Sequence, residues 1–241
     1  MSIDNQHTWF NSPLGEYLQK QEKLSFDNYV GDIFGFNGIQ LGFLQINLME
    51  FSRIPYTFLS DINQGDFRCD SRQLPLASNT IDLLLMPHTL DFSEDPHQTL
   101  REAERVLVAE GHVVISGFNP LSLWGIKSML CKNKGFPWHA NFLPLIRIKD
   151  WLALLGFELI KVQMICYSPP YSSDTWIHRL KFLDQLGGKC WPMMGGVYFI
   201  VAKKRVPGMR LIKPNWPRKK IKPNFATSTS QKNKTKIEKN Q

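Results

Sequence analysis

A chain of 241 residues that is 43% hydrophobic and 21% charged has the apolar content of a folded protein with one large core or two small ones, which excludes disorder along its whole length. The net charge of +8 is unevenly spread: residues 203–241 hold thirteen basic groups and one acid, while the first 202 residues hold sixteen basic groups and twenty acids. The basic character therefore belongs to a tail, and the folded part is mildly acidic, which argues against a nucleic-acid-binding fold.

Taken in chain order, residues 8–35 read as helix, with Leu14, Leu18 and Leu24 set among charged positions and Gly31 and Gly35 loosening the end. Residues 38–42 are a short apolar run closed by Gly42, a buried strand. Residues 56–60 form a second strand between Pro55 and Asp61, residues 67–69 a weaker third, and residues 81–86 a fourth ended by Pro87. Asp95 then supplies an N-cap, Pro96 an N1 proline and Gln98 an N3 glutamine. Leu100, Ala103, Val106 and Leu107 share one face of the helix that follows, and Gly111 is its expected stop. A strand over 112–116, a helix capped by Asn119-Pro120 and reaching residue 130, a short helix from Trp151 to the stop at Gly156, and strands over 157–166 and 196–202 complete the pattern. Alternating strands and helices, with strands that are nearly continuous apolar runs, predict an α/β fold with a mostly parallel sheet covered on both faces. After Lys204 four prolines interrupt a Lys/Arg-rich stretch, and almost no apolar residue follows Ala226, so the tail is expected to be disordered.

Cys69, Cys131, Cys166 and Cys190 are spaced 62, 35 and 24 residues apart, without a CxxC pair, which fits free thiols in a reducing compartment and lacks the tight spacing of a zinc site. Residues 1–7 carry an acid where a signal peptide carries basic residues, and the longest uncharged run near the front, 33–49, is too short and polar to span a bilayer. These features predict a cytoplasmic protein with no transmembrane segment.

Ligands of open α/β sheets sit at the carboxyl ends of the strands. Strand one ends at Gly42, strand two at Asp61, strand three at Asp70 and strand four at Pro87-His88. Carboxylates at successive strand ends can receive hydrogen bonds from a nucleoside, one from ribose hydroxyls and one from an exocyclic amine; each can equally be an ordinary loop acid. His88 is a candidate general base, with Asp91 to orient it, or a histidine pegged to its surroundings. Ser168-Pro169-Pro170-Tyr171 has the form of a motif that grips amino groups in some transferases, but its place after strand six makes it a rigid loop. Trp124, Phe136, Trp138 and Phe142 roof a pocket or pack as core.

Three segments carry a resemblance: Asp70 with Leu74-Pro75-Leu76 and Ile81-Asp82; Glu102 with Arg105-Val106-Leu107; and Gly111 before the strand at 112–116. In this order they resemble the class I S-adenosylmethionine-dependent methyltransferases, and among them the methyltransferase type 11 domain. The likeness covers about residues 38–203 and is strongest over 69–118. His88-Thr89-Leu90 and Gly117-Phe118-Asn119-Pro120 resemble a small, uncharacterised proteobacterial branch of that family. The resemblance implies a Rossmann-like seven-stranded sheet with an antiparallel β6–β7 hairpin. It implies three segments: an N-terminal helical part (1–37), the methyltransferase domain (38–203) and the basic tail (204–241). It implies S-adenosyl-L-methionine as cofactor, with Gly42 at the glycine-rich turn, Asp61 at the ribose, Asp70 and Ser71 at the adenine, and Pro87 and His88 beside the methionine part. The methyl acceptor is not named by it.

One motif departs from the family pattern. Where an acid and three glycines are expected, the chain has Gln40, Gly42, Leu44 and Ile46. A Cβ at the last two positions blocks close approach and disfavours positive φ, so the loop either takes another course around the cofactor or has lost it. The second outcome defines the alternative: a degenerate member serving as a binding or scaffold protein. Lys203-Lys204-Arg205 and Arg218-Lys219-Lys220 could then contact a polyanion such as nucleic acid.

Overall fold

The computed structural model describes residues 9–131, 135–170, Asp184, Gly188, Trp191 and 193–206, which lie in one compact unit, Met1–Val206. Residues 207–241, and with them most of the basic tail, lie outside the described residues, as does Tyr171.

Seven strands form one sheet: β1 (Asn37–Leu41), β2 (Tyr56–Asp61), β3 (Phe67–Arg68), β4 (Ile81–Pro87), β5 (Leu107–Phe118), β6 (Phe157–Ile165) and β7 (Val197–Lys204). Their spatial order is β3-β2-β1-β4-β5-β7-β6. The first five are parallel, and β7 runs antiparallel to both β5 and β6. The chain thus winds outward from β1 in one direction and from β4 in the other, so the carboxyl ends of β1 and β4 flank the crevice where sheets of this kind bind ligands.

The central strands β1, β4, β5 and β7 are buried on both faces because their alternating side chains meet two different layers. Leu84 and Met86 of β4, Val113 and Ile115 of β5, and Tyr198, Ile200 and Ala202 of β7 pack with α3 (Pro96–Val106) and α5 (Leu145–Leu154). Leu83 and Leu85, Val114, and Phe199 and Val201 point the other way, against Phe26 and Val30 of α1 (Pro13–Val30) and Ile33, Leu48, Met49 and Ile54 around it. A third cluster, in which Phe10, Leu14 and Leu18 meet Phe118, Trp124, Phe136 and Trp138, closes the end of the sheet above β5. Two further helices are α2 (Thr89–Phe92) and α4 (Leu123–Cys131).

Every expected strand and helix is present, but several boundaries move: α1 spans 13–30 instead of 8–35, and α5 starts at Leu145, six residues before Trp151. The helix over Asp95 starts as expected, with Asp95 Oδ1 accepting the Gln98 N–H at 3.0 Å, yet it ends at Val106 instead of Gly111. Residues 108–111 belong to β5, where they form an irregularity: Ile81 pairs with Leu107 but Leu83 pairs with His112. Glu110 there takes φ +66°, and a Cβ on Gly111 would fit tightly, 3.0 Å from the Val108 carbonyl oxygen. Asn119 does not cap α4; its amide donates to the Met193 and Gly195 carbonyls, and Ser122 Oγ accepts the Gly125 N–H at the helix start.

The folded unit also runs past residue 203. Lys204 is buried, and its Nζ donates to the carbonyls of Glu104 (2.6 Å) and Leu107 (2.9 Å), a cation at the C-terminal end of α3. Lys203 pairs with Glu110, and Arg205 with Glu110 and Glu158. Of the first basic cluster, Lys204 is therefore held inside the fold, while Lys203 and Arg205 pair with acids at its surface.

Candidate functional site

The loop after β1 is built around Gln40. Its side chain is fully buried, and its amide nitrogen lies 3.2, 3.0 and 2.9 Å from the carbonyls of Gly42, Phe43 and Ile46. Its oxygen accepts the Leu48 N–H at 2.9 Å. A carboxylate could not donate to three carbonyls, which explains why an amide stands where the family has an acid. Only Gly42 and Phe43 in this loop have positive φ, +76° and +57°. A Cβ on Gly42 would meet nothing nearer than Thr89 Oγ1 at 3.8 Å, so its surface toward the cavity is open. Ile46 is partly buried and packs against the core cluster beside α1.

The crevice holds a cavity of about 460 Å³. Gly42, Asp61, Asp70, Ser71, Pro87 and His88 all line it, so the residues singled out at four separate strand ends come together in one place. Leu44 and Ile46 are absent from its walls, and the crowding expected of them does not occur. Phe10, Phe43, Phe92 and Phe136 supply an apolar side that includes only one of the four aromatics expected to roof a pocket. Trp124 is core, with Nε1 donating to the Ser168 carbonyl at 3.0 Å, and neither Ser168 nor the two prolines after it lines the cavity.

Asp61, at the tip of β2, accepts the Ile62 N–H at 2.7 Å and has no cation beside it among the described residues. Burial pushes its carboxyl above the usual range, and the Ile62 bond only partly opposes this. Asp70, one strand further out, is held differently. The Arg72 guanidinium bonds both its oxygens, at 2.7 to 3.1 Å, and the Arg72 N–H adds a fourth bond at 2.9 Å. These contacts hold the Asp70 carboxyl below its usual range, and Arg72 also reaches Glu94. Ser71 Oγ lies 3.4 Å from Thr99 Oγ1.

His88 begins the turn into α2 at φ +52° and is 2% exposed. Its Nδ1 lies 2.8 Å from Asp91 Oδ2 and its Nε2 3.0 Å from Glu22 Oε1 on α1. Burial alone would lower its pKa, but the two carboxylates outweigh it and raise the imidazole to about 9. With both ring nitrogens facing carboxylates and the proton held tightly, this histidine lacks the free lone pair that a general base needs. Asp91 does orient it, as the sequence suggested, and also accepts the Phe118 N–H at 2.8 Å. Glu22, Arg72 and the three phenylalanines outside α4–β6 were not visible as site residues in sequence. Only Glu22 left a signal there, as an acid in the i+4 row of Leu14, Leu18 and Phe26.

The chain and its fold have counterparts among known proteins. A family model described as a methyltransferase domain matches residues 49–115. YafS of Escherichia coli K12 is 31% identical over 206 residues, which cover 82% of this chain and 80% of YafS. The chain belongs to the YafS family. Its fold is shared with an S-adenosylmethionine-dependent methyltransferase of Thermotoga maritima, at TM-score 0.56 and 19% identity over 84% of this chain and 96% of that one. It is shared equally with one of Archaeoglobus fulgidus, at TM-score 0.55 and 19% identity over 76% and 93%. The YafS family therefore has the class I methyltransferase fold, in which the type 11 domain model spans the sheet from the β1–β2 connection to β5.

Proposed function

We propose that this protein is a cytoplasmic S-adenosylmethionine-dependent methyltransferase acting on an unidentified acceptor. The observation that carries the reading is Asp61: a half-buried carboxylate with no cation beside it among the described residues, kept at the tip of β2 against its own desolvation, in the same cavity as the open surface of Gly42. A nucleoside with vicinal hydroxyls supplies the donors this carboxylate lacks. A cavity of this size is within the range of small-molecule sites, and its residues fit the cofactor.

Asp61 would accept the two ribose hydroxyls. Asp70 would accept the exocyclic amine of adenine, and Arg72 fixes its carboxylate for that purpose. Gly42 leaves its backbone open to the amino-acid part. When bound, the cofactor supplies an electrophilic sulfonium methyl. The phenylalanine side of the cavity excludes water and aligns an acceptor for in-line attack, so positioning supplies most of the rate. His88 holds its proton and fixes the turn after β4. Among the described residues no helix is long and apolar enough to cross a membrane, and the buried thiols Cys69 and Cys166 are free, which supports the cytoplasmic placement. The loss of cofactor binding through Leu44 and Ile46 has no support in the cavity walls.

Thermal unfolding tests the reading. S-adenosylmethionine and S-adenosylhomocysteine at about a hundred times their Kd are expected to raise Tm by about 5–10 °C. ATP and NAD, which lack the amino-acid part, are expected to leave it unchanged. No shift with millimolar S-adenosylmethionine contradicts the proposal.

A further inference from the structure

Helix α4 is built with its polarity reversed. Its inward side holds Ser128, whose Oγ donates to the Trp138 carbonyl at 3.0 Å, with Ser122 buried at the helix start and Trp124 in the core. Its outward side is apolar: Leu121 just before the helix and Leu123, Ile126, Met129 and Leu130 within it are 43–84% exposed. Leu123, Ile126 and Leu130 follow one another at steps of three and four and so share a face, with Met129 beside them. A surface helix normally turns charged residues to water, and single exposed apolar residues are ordinary, but five within ten residues of chain make a patch that asks for an apolar partner. The patch extends to the loop before β7. Asn119 donates to the Met193 and Gly195 carbonyls, both at 2.9 Å, which holds that loop against the approach to α4. Trp191, Met193 and Met194 are each about half exposed there, and the Met194 N–H closes a turn on the Trp191 carbonyl at 3.0 Å.

The charge of the chain divides along the same line. Residues 1–110 hold seven basic groups and sixteen acids, whereas residues 111–202 hold nine basic groups and four acids. From Gly111 to Lys149 there is no acid, and that stretch contains Lys127 on α4 and Lys132 and Lys134 after it. Residues 111–202 build most of β5 and β7, with β6 and α4, so the basic side of the sheet is the side that carries the apolar helix face. Apolar side chains standing out from an acid-free, lysine-bearing segment match a bilayer with anionic headgroups. Leu, Ile and Met enter the acyl boundary, Trp settles at headgroup level, and lysines meet the phosphates. A nucleic acid would satisfy the charge and leave the apolar side chains in water.

We infer that α4, with the loop at Trp191, Met193 and Met194, is a docking surface for an anionic lipid bilayer, which the protein binds peripherally. The apolar face supplies the anchoring and the lysines the preference for negative headgroups. This surface is separate from the cofactor reading, since none of its residues lines the cavity.

Co-sedimentation of the full chain with vesicles tests this, in about 0.1 M salt so that headgroup charge is felt. The unsubstituted protein is expected to bind vesicles of phosphatidylglycerol and phosphatidylethanolamine in equal parts about tenfold more tightly than vesicles of phosphatidylcholine alone. The double variant Met129→Gln, Leu130→Gln removes the two most exposed side chains of α4, and is expected to weaken binding to the anionic vesicles on the order of tenfold while Tm stays unchanged. Phe34→Gln with Phe36→Gln is the control. These two side chains are 70% and 71% exposed, but they precede β1 at the opposite end of the sheet from α4, and their loss is expected to leave binding as it was. Equal binding by the unsubstituted protein and the α4 variant overturns the inference; it is the result expected if the basic tail alone reaches the lipid, because both proteins carry that tail. Equal weakening by the two double variants also overturns it, since unspecific apolar adhesion acts on both. No binding to either kind of vesicle overturns it as well, and in that case a dimer that the α4 variant converts to a monomer in light scattering assigns the face to a second copy of the chain.

Discussion

Asp61→Ala is expected to weaken binding of S-adenosylmethionine by roughly 10- to 150-fold while leaving Tm unchanged or slightly higher. A hydrogen bond to a charged group contributes about 1.5–3 kcal/mol, and about 1.4 kcal/mol is a factor of ten in affinity. The absence of a stability cost distinguishes a ligand-binding carboxylate from a structural one. Among the described residues Asp61 has no cation beside it, and burial has raised its pKa. A carboxyl whose folded pKa lies above its unfolded value disfavours the folded state at pH values above both, so its removal does not destabilise there. Calorimetry with thermal unfolding of the same sample reads both quantities, and a lower Tm with unchanged affinity would assign Asp61 to the fold instead. Asp70→Ala is a poorer probe, because it also releases Arg72 from its bidentate pair.

The second large effect concerns His88. Removing the imidazole strands Glu22 and Asp91 as two carboxylates buried together, and breaking a buried pair in this way costs about 3–5 kcal/mol. His88→Ala is therefore expected to lower Tm by about 10 °C or more for a folded unit of this size. The sign of its pH dependence follows from the raised pKa. The imidazole titrates near 6.5 when unfolded and at about 9 when folded. Its contribution, about 3 kcal/mol, is fully present below pH 6.5 and is lost as pH rises through 9. The unsubstituted protein should lose stability across that window in denaturant titrations, and the variant should show a flatter profile there. A slope of the same size in both proteins would mean that His88 is not the group responsible.

The middle of the sheet was readable in the sequence because its central strands are buried on both faces. Continuous runs such as Leu83 to Met86 belong to no exposed surface, and the start of α3 was fixed by Asp95 and Pro96 without reference to anything distant. Strand ends were therefore placed well enough for six residues to be gathered into one cavity. Features that depend on contacts between distant segments were not readable. The end of α3 depends on β5 starting at Leu107 to pair with Ile81, which overrides the local stop expected at Gly111. Gln40 looked like a lost acid because its three carbonyl partners are a property of the folded loop. The same loop course takes Ile46 into the core and keeps both it and Leu44 off the cavity walls. His88 looked like a base because the sequence shows Asp91 three residues away and hides Glu22, which approaches from a helix 66 positions earlier. Lys204 looked like the first residue of a basic tail because the carbonyls that bind it lie about a hundred residues upstream.

The central claim is that the tips of β1 to β4 hold a nucleoside through Asp61 and Asp70. A crystal structure of the protein grown with saturating S-adenosylhomocysteine tests it most directly. The account predicts ribose hydroxyls on the Asp61 carboxylate, the purine amine at Asp70 and the amino-acid end over Gly42. Ordered ligand elsewhere, or a cavity closed by Phe43 with no purine density at saturation, would contradict it.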